Sequence, residues 1–439
     1  MSVAGCYRIR TLRTTRRVAL AIACFLMVAV TQAAQAQTFQ VIHDFMGLGD
    51  GSEPTYGLTI DAAGNIYGTT FNGDALTGTA HKLSHKGGNW IESPLYYFPL
   101  AGSGGSIPYT AMIQGREGSL YGTAGYGGNL QACPSGSSSG CGAVYSLRPL
   151  PTRPSTPLSQ WNYTPLHIFS GADGANPYGG ELIFDQAGNL YGTTFNGGTG
   201  SCVGGCGVVF QLTPSGGGWI ETVLYNFNHS GDGTHPWAGV TLDPAGNLYG
   251  TTEYGGAYGF GTIYQLTPSG SGWTESILYS FANGGDGANP YAGLVLDQAG
   301  NLYGATSTGG TGLGGTAFEL EPSSGSWTFN LLYSFSGASG QLSPGPLGNL
   351  TFDSASNLWG TTHGGGAYNF GTVFELMPSG GTWTYTSLHD FTGGLDGLYP
   401  RTNVMFDKNG NLYGTTAGGG TGSPTQCVGA CGVVFEVAP

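Results

Sequence analysis

The sequence predicts an all-β protein: a seven-bladed β-propeller of four-stranded blades, its ring closed by an N-terminal strand that completes the last blade. Three observations predict it. A phrase of the form Asp-x-x-Gly-Asn-Leu-Tyr-Gly-Thr-Thr occurs seven times, each copy sits among strand-like segments in one order, and the two chain ends read as complementary pieces of one unit. Regular copies stand at 61–70, 185–194, 243–252 and 407–416, altered ones at 115–124, 297–306 and 353–362. Measured at Tyr67, Tyr121, Tyr191, Tyr249, Tyr303, Trp359 and Tyr413, the steps are 54, 70, 58, 54, 56 and 54 residues. Repeats of this length are single supersecondary units stacked on their neighbours.

Residues 1–36 read as a secretory signal peptide. Arg8, Arg10, Arg13, Arg16 and Arg17 precede an apolar run over 18–30, too short for a membrane span, and Ala34-Gln35-Ala36 offers a small-x-small cleavage site. Arg16-Arg17 leaves twin-arginine export open beside the ordinary route, and Cys24 stands in a poor context for lipidation. Residues 37–439 are then expected to form one propeller domain, exported to the periplasm or the extracellular space as a monomer without a membrane span. Cleavage near Ala36 leaves seven basic against 25 acidic side chains, a formal charge of −18, which repels phosphate backbones and argues against nucleic acid as a partner. The 83 glycines recur at fixed places in an apolar and aromatic repeat, so they are turn residues rather than signs of disorder.

Within each unit the elements follow in order. An apolar first strand ends at the Asp, as at 293–297. Asp-x-x-Gly-Asn makes a tight turn, since Asp bonds nearby backbone amides and Gly accepts positive φ. The second strand is Asn-Leu-Tyr-Gly-Thr-Thr, aromatic and β-branched. A Gly-rich loop leads to a third strand such as 371–376, and a Pro-Ser-Gly-Gly turn to a fourth running from Trp to Phe, as at 273–281. After residue 36 no segment carries the 3.6-residue apolar stripe of a helix. A parallel β-helix, the competing solenoid, uses shorter coils and lacks four hairpin-linked strands. The last copy stops after its third strand at Phe435-Glu436-Val437, while Phe39-Gln40-Val41-Ile42-His43-Asp44-Phe45 matches fourth strands such as Ser387-Leu388-His389-Asp390-Phe391. Pairing the two removes the open sheet edges.

Tracts such as 246–252 and 371–376, the Trp strands and the Asp-Gly-x-x-Pro link resemble the GloVer tandem-repeat proteins, exported bacterial proteins with a Gly-Asn-Leu-Tyr-Gly-Thr-Thr repeat, over essentially the whole chain beyond residue 36. The short motif is also similar to propeller repeats of sensor histidine kinases, but no kinase segment is present. Some GloVer-type proteins are tethered by a C-terminal anchor; a chain ending at Val437-Ala438-Pro439 points instead to a soluble exported form. The resemblance implies an exported propeller, with no activity and no catalytic residues to carry over.

Beyond residue 36 the cysteines form three local pairs, Cys133/Cys141, Cys202/Cys206 and Cys427/Cys431, read as disulfides in an exported chain; no four ligands converge in sequence for a metal. All three lie in second-to-third loops, on the face that also carries the fourth-to-first links. They either stiffen binding loops or protect them from proteolysis. A Pro is followed by Tyr109, Tyr178, Trp237 or Tyr291 in four blades and by Thr55, Leu347 or Arg401 in the others. These aromatics either ring the channel mouth, ready to stack on sugar rings or a peptide, or pack between blades. Asp50, Asp173, Asp232, Asp286 and Asp396 open Asp-Gly turns in the same link; they are not clustered as in a calcium loop.

The residue after Thr-Thr varies: Phe71, Gly125, Phe195, Glu253, Ser307, His363, Ala417. Glu253 and Tyr254 are expected at the top of blade 4 beside His235 and Trp237, where a carboxylate, an imidazole and two aromatics would suit acid/base or sugar chemistry; scattered polar loop residues explain them as well. His43, His167, His389 and His81 read as packing residues at positions held elsewhere by Tyr or Phe. Gly-x-Gly matches lack a following helix, no Gly-x-Ser-x-Gly has a hydrolase context, and 148–157 is a Pro-rich insertion. The expected function is a non-catalytic binding scaffold, without cofactor or metal, for a glycan or an extracellular protein or peptide. The alternatives are a polysaccharide-active hydrolase or lyase using Glu253 and His235, and a self-associating matrix component.

Overall fold

The computed structural model describes residues 37–438 except 48, 74–77, 100–103, 131–132, 134–138, 151–160, 230, 271, 338–344, 423–426 and 428–430. The predicted leader at 1–36 and residues 151–157 of the Pro-rich insertion lie outside the described residues. Phe39–Ala438 make up one compact unit. It is a seven-bladed β-propeller, with blades numbered here by the seven motif copies. Blade 4 is typical, with antiparallel strands Thr241–Leu242, Leu248–Thr252, Thr262–Ser269 and Gly272–Ser280 ordered from the axis outward. The innermost strands are shorter than the apolar runs suggest, only two residues each, because the link before them departs from the ladder to line the axis. Blade 2 adds a strand, Ser106–Pro108, and replaces the Asp turn by a single 3-10 turn at Arg116–Gly118, where Gly115 offers no carboxylate.

The repeated phrase is explained by its hydrogen bonds. In blade 3 Asp185 Oδ1 accepts the Asn189 amide N–H at 2.8 Å, while Oδ2 accepts the Asn189 side chain at 2.7 Å and the Tyr191 hydroxyl at 3.1 Å. One carboxylate thus fixes the turn and both repeated side chains of the next strand, which is why Asp, Asn and Tyr travel together. The two threonines have different tasks. The second bonds within its own blade, as Thr252 does to Thr262 at 2.8 Å; the first reaches the next blade, as Thr251 does to the Ala292 carbonyl at 2.9 Å.

A second inter-blade bond comes from the residue before the link proline, which is left-handed, with φ of 53–57° at Glu53, Ile107, Asn176, His235, Asn289 and Tyr399. In five blades its N–H reaches back to the loop before the third strand of the preceding blade: Glu53 to Cys431, Asn176 to Cys141, His235 to Cys206, Asn289 to Phe260 and Tyr399 to Phe370, at 2.7–2.9 Å. The next residue in those loops is always Gly. At Gly207 φ is +92° and a Cβ would lie 2.6 Å from Pro236 Cδ of the following blade, so no other residue fits.

The core lies between blades. One buried cluster joins Tyr191, Val209 and Phe227 to Leu248 and Tyr264 of the next blade. The ring closes as the sequence predicts. Thr38–Asp44 is the outermost strand of blade 7, beside Val433–Ala438. Phe45, Tyr413 and Val434 pack on Leu58, Ile66 and Leu83 of blade 1 in a cluster like the others. All three expected disulfides form, with Cα separations of 5.4, 5.0 and 5.3 Å. Among the described residues no helix is long and apolar enough to cross a membrane.

Candidate functional site: the axial cavity

The fourth-to-first links and second-to-third loops share a face, joined by bridges such as Thr234↔Tyr254 and Ala175↔Asn196. At the axis of that face the links of all seven blades enclose a cavity of ≈ 340 Å³. Two registers build it. Four residues before each innermost strand stand Thr55, Tyr109, Gly179, Trp237, Tyr291, Leu347 and Arg401, and two residues before it Gly57, Ala111, Glu181, Gly239, Gly293, Asn349 and Asn403. In the second register four blades present Gly or Ala, and three present a polar side chain into the cavity.

Two of those side chains are held from neighbouring blades. Asn349 Oδ1 accepts the Gly293 amide N–H at 2.6 Å. Asn403 lies against Gly57, whose missing Cβ leaves the space for its amide, and that amide also acts on Glu181 across the opening. Burial pushes the Glu181 carboxyl up to about 7, with the Asn403 amide acting in the opposite direction. Arg401 is exposed at the mouth. Beside it His363 packs on Tyr399 at a tilt, with ring centroids 4.8 Å apart. Burial, then the Arg401 charge, lowers the imidazole to about 4, so the mouth carries a guanidinium next to a neutral ring.

The other wall is aromatic. Trp237 and Tyr291 line the cavity with ring centroids 5.1 Å apart. Tyr109 and Tyr178 extend the arc but pack on each other at 4.5 Å, and Tyr178 on Trp237 at 5.6 Å. So the expected aromatic ring divides: Trp237 and Tyr291 face the cavity, while Tyr109 and Tyr178 fill space between blades. An extra residue in blade 3 explains the fate of Tyr178. It puts Gly179, at φ +58°, where the other blades place a side chain, and the Trp237 indole occupies the position a Cβ would take.

Glu253 and His235 are near each other in the backbone, the Glu253 N–H donating to the His235 carbonyl at 3.1 Å. Their side chains diverge. Glu253 is 2 % exposed and accepts the Tyr291 hydroxyl at 2.7 Å; burial raises its carboxyl. The His235 ring packs on Phe195 at 4.7 Å and on Tyr254 at 6.0 Å, and burial lowers it. Neither lines the cavity, and Tyr254 is 44 % exposed on the loop face. Sequence reasoning missed Glu181, Asn349, Asn403 and Tyr56. The signal was a polar residue where the repeat has Gly or Ala, visible only after aligning the links on the innermost strands.

The fold and the cavity define a seven-bladed propeller with a polar and aromatic axial mouth. The chain belongs to the Gloeobacter/Verrucomicrobia repeat family, whose sequence profile matches residues 130–350. No curated protein matches it. Among solved structures it is similar to the soluble aldose sugar dehydrogenase of Escherichia coli, at 14% identity over 92% of this chain and 99% of that one, TM-score 0.44. It is also similar to an α-L-arabinanase of Penicillium chrysogenum, at 12% identity over 91% and 98%, TM-score 0.41. A polysaccharide lyase described as an ulvan lyase aligns at 14% identity over 88% and 91%, TM-score 0.48. What this chain binds has to be read from its own residues.

Proposed function

We propose that the protein is an exported binding scaffold that takes a sugar unit of a glycan in the axial mouth. The observation that carries this reading is the convergence of Glu181, Asn349 and Asn403 on a ring that is otherwise Gly and Ala, opposite the Trp237 and Tyr291 wall. Amides and a carboxylate matched to hydroxyl groups, beside flat aromatic faces, form the mixed lining that orients a small polar ligand. The three disulfides fit export. Screening the purified protein on a glycan array tests the reading. Binding that falls at least tenfold in Trp237→Ala supports it; retention by Trp237→Ala of every glycan the wild type binds sinks it.

The enzymatic alternative keeps one supporting feature, a cavity carboxyl at Glu181 held near neutrality, where a general acid or base works best. Hydrolysis by the common two-carboxylate route needs a second such group facing the same substrate, and Glu253 is engaged by Tyr291. Release of new reducing ends or unsaturated sugars from a bound polysaccharide, lost in Glu181→Gln, would replace the scaffold reading.

A further inference from the structure

Far from the axis, the outer strands meet neighbouring blades through one recurring slot. At four interfaces an aromatic of one blade stacks on an aromatic or His of the blade before it: Tyr163 on Tyr96 at 4.6 Å, Phe329 on Tyr279 at 4.4 Å, Tyr385 on Tyr333 at 4.5 Å, and Phe39 on His389 at 3.6 Å. At the other three the same register holds a carboxylate, Glu92, Glu221 or Glu275, opposite a third-strand Leu as Phe329 and Tyr385 are. These are the interfaces after blades 7, 2 and 3, the blades with disulfides.

A carboxylate in an aromatic slot needs a partner, and between blades 2 and 3 one side chain after another is aimed at it. His167, Asp173 and Glu221 bring one nitrogen and two oxygens within 4.8 Å of one another. Glu221 Oε1 is buried and bonds no described residue. Asp173 is held by its other oxygen, which accepts the Ser170 N–H at 2.7 Å and hydroxyl at 3.0 Å, leaving Oδ2 directed at His167 Nε2, 3.0 Å away. The imidazole and Asp173 are only 20 % and 22 % exposed. We infer that His167, Asp173 and Glu221 form a divalent-cation site of the zinc type that clamps blade 2 to blade 3. Mixed imidazole and carboxylate ligands suit zinc or a similar transition ion, with the remaining coordination left to water, and Ser170 supplies the bond that orients a ligating carboxylate. The ion takes the place of the direct contact between His167 Nε2 and Asp173 Oδ2, and Glu221 closes the set from the next blade. His43, Asp50 and Glu92 repeat the composition between blades 7 and 1, but with 3.7 Å between imidazole and Asp50. Between blades 3 and 4 Tyr225 replaces the imidazole and donates its hydroxyl to Asp232 at 2.8 Å.

The test is calorimetric titration of the EDTA-treated protein with zinc chloride, comparing wild type with His167→Tyr and Glu221→Tyr. Both variants use residues that the repeat itself places at these registers, Tyr225 and Tyr385. The wild type is expected to bind with micromolar or tighter affinity and to melt several degrees higher with zinc. Each variant is expected to lose one zinc equivalent. The X-ray absorption spectrum of the loaded wild type is expected to show nitrogen and oxygen neighbours including imidazole. No uptake at 1 mM zinc (~1 mM being far above a built site's Kd), equal uptake in wild type and both variants, or a spectrum without imidazole overturns the inference.

Discussion

Thr415 in blade 7 donates its hydroxyl to the Pro54 carbonyl of blade 1 at 2.6 Å, joining residues 361 positions apart. Its counterpart is the bond of Thr123 to the Pro177 carbonyl at 3.0 Å, whereas Thr193, Thr251 and Thr361 bond the carbonyl two residues beyond the link proline of the next blade at 2.8, 2.9 and 2.8 Å. The closing interface therefore uses the same threonine and the same link as the sequential ones, in the variant seen between blades 2 and 3. Thr415→Val is expected to destabilise the protein by about 1 kcal/mol, the net worth of one intramolecular hydrogen bond with some penalty for the bereft carbonyl. Thr251→Val should cost a similar amount. Urea unfolding of the two variants checks this; an unchanged midpoint for Thr415→Val would mean the closure does not depend on the bond.

Reduction of the disulfides is expected to act locally. Cys206, Cys141 and Cys431 present the carbonyls that accept from His235, Asn176 and Glu53, whereas Phe260 and Phe370 serve Asn289 and Tyr399. With dithiothreitol, amide exchange should accelerate at His235, Asn176 and Glu53 and stay unchanged at Asn289 and Tyr399. Each short loop contributes at most about 2–2.5 kcal/mol to global stability. Uniform acceleration at all five amides would show that the disulfides govern the whole ring.

His81 stands where other third strands carry Phe210, Phe318, Phe374 or Phe435, fully buried, with both ring nitrogens unbonded to any described residue. Burial, with a smaller push from His43, lowers it to about 3. The folded state thus holds fewer protons than the unfolded chain between that value and the ordinary histidine range. Its stability is complete above pH ~6.5 and falls as pH drops toward 3. His81→Phe should stabilise the protein by about 1–3 kcal/mol and flatten the acid limb of its melting curve. A variant with the same acid limb as wild type would contradict the burial of an unpartnered ring.

Glu181 has the opposite sign. Its carboxyl is raised to about 7 by burial, against the effect of the Asn403 amide, so the folded state is favoured below the ordinary glutamate range and loses stability as pH rises through 7. Glu181→Gln is expected to melt higher than wild type at pH 8 and equally at pH 4. Thermal melts at the two pH values decide it, and a difference that is the same at both rules out the raised carboxyl.

The blade, the closure and the disulfides were legible because each rests on short-range chemistry that the repeat states seven times. The cavity was only half legible. Pro followed by an aromatic looked equivalent in four blades, yet Tyr178 is displaced by one inserted residue and Tyr109 turns toward it, while Trp237 and Tyr291 reach the axis. Glu181, Asn349 and Asn403 stayed hidden because their register is defined by innermost strands of two residues, too short to recognise without coordinates. His43, His167 and His389 were read as packing residues, and their rings do pack. They also face Asp50, Asp173 and Asp396, pairs formed across six or seven residues by a bend in the chain that spacing does not reveal.

The most direct test of the axial site compares glycan binding by wild type and the double variant Glu181→Ala/Asn403→Ala, which gives the ring the small residues already present at Gly57 and Ala111. Loss of two charge-assisted or neutral hydrogen bonds predicts a drop in affinity of roughly a hundredfold with a cooperative melt retained. Unchanged affinity in a folded double variant would contradict the assignment of the ligand to the axial mouth.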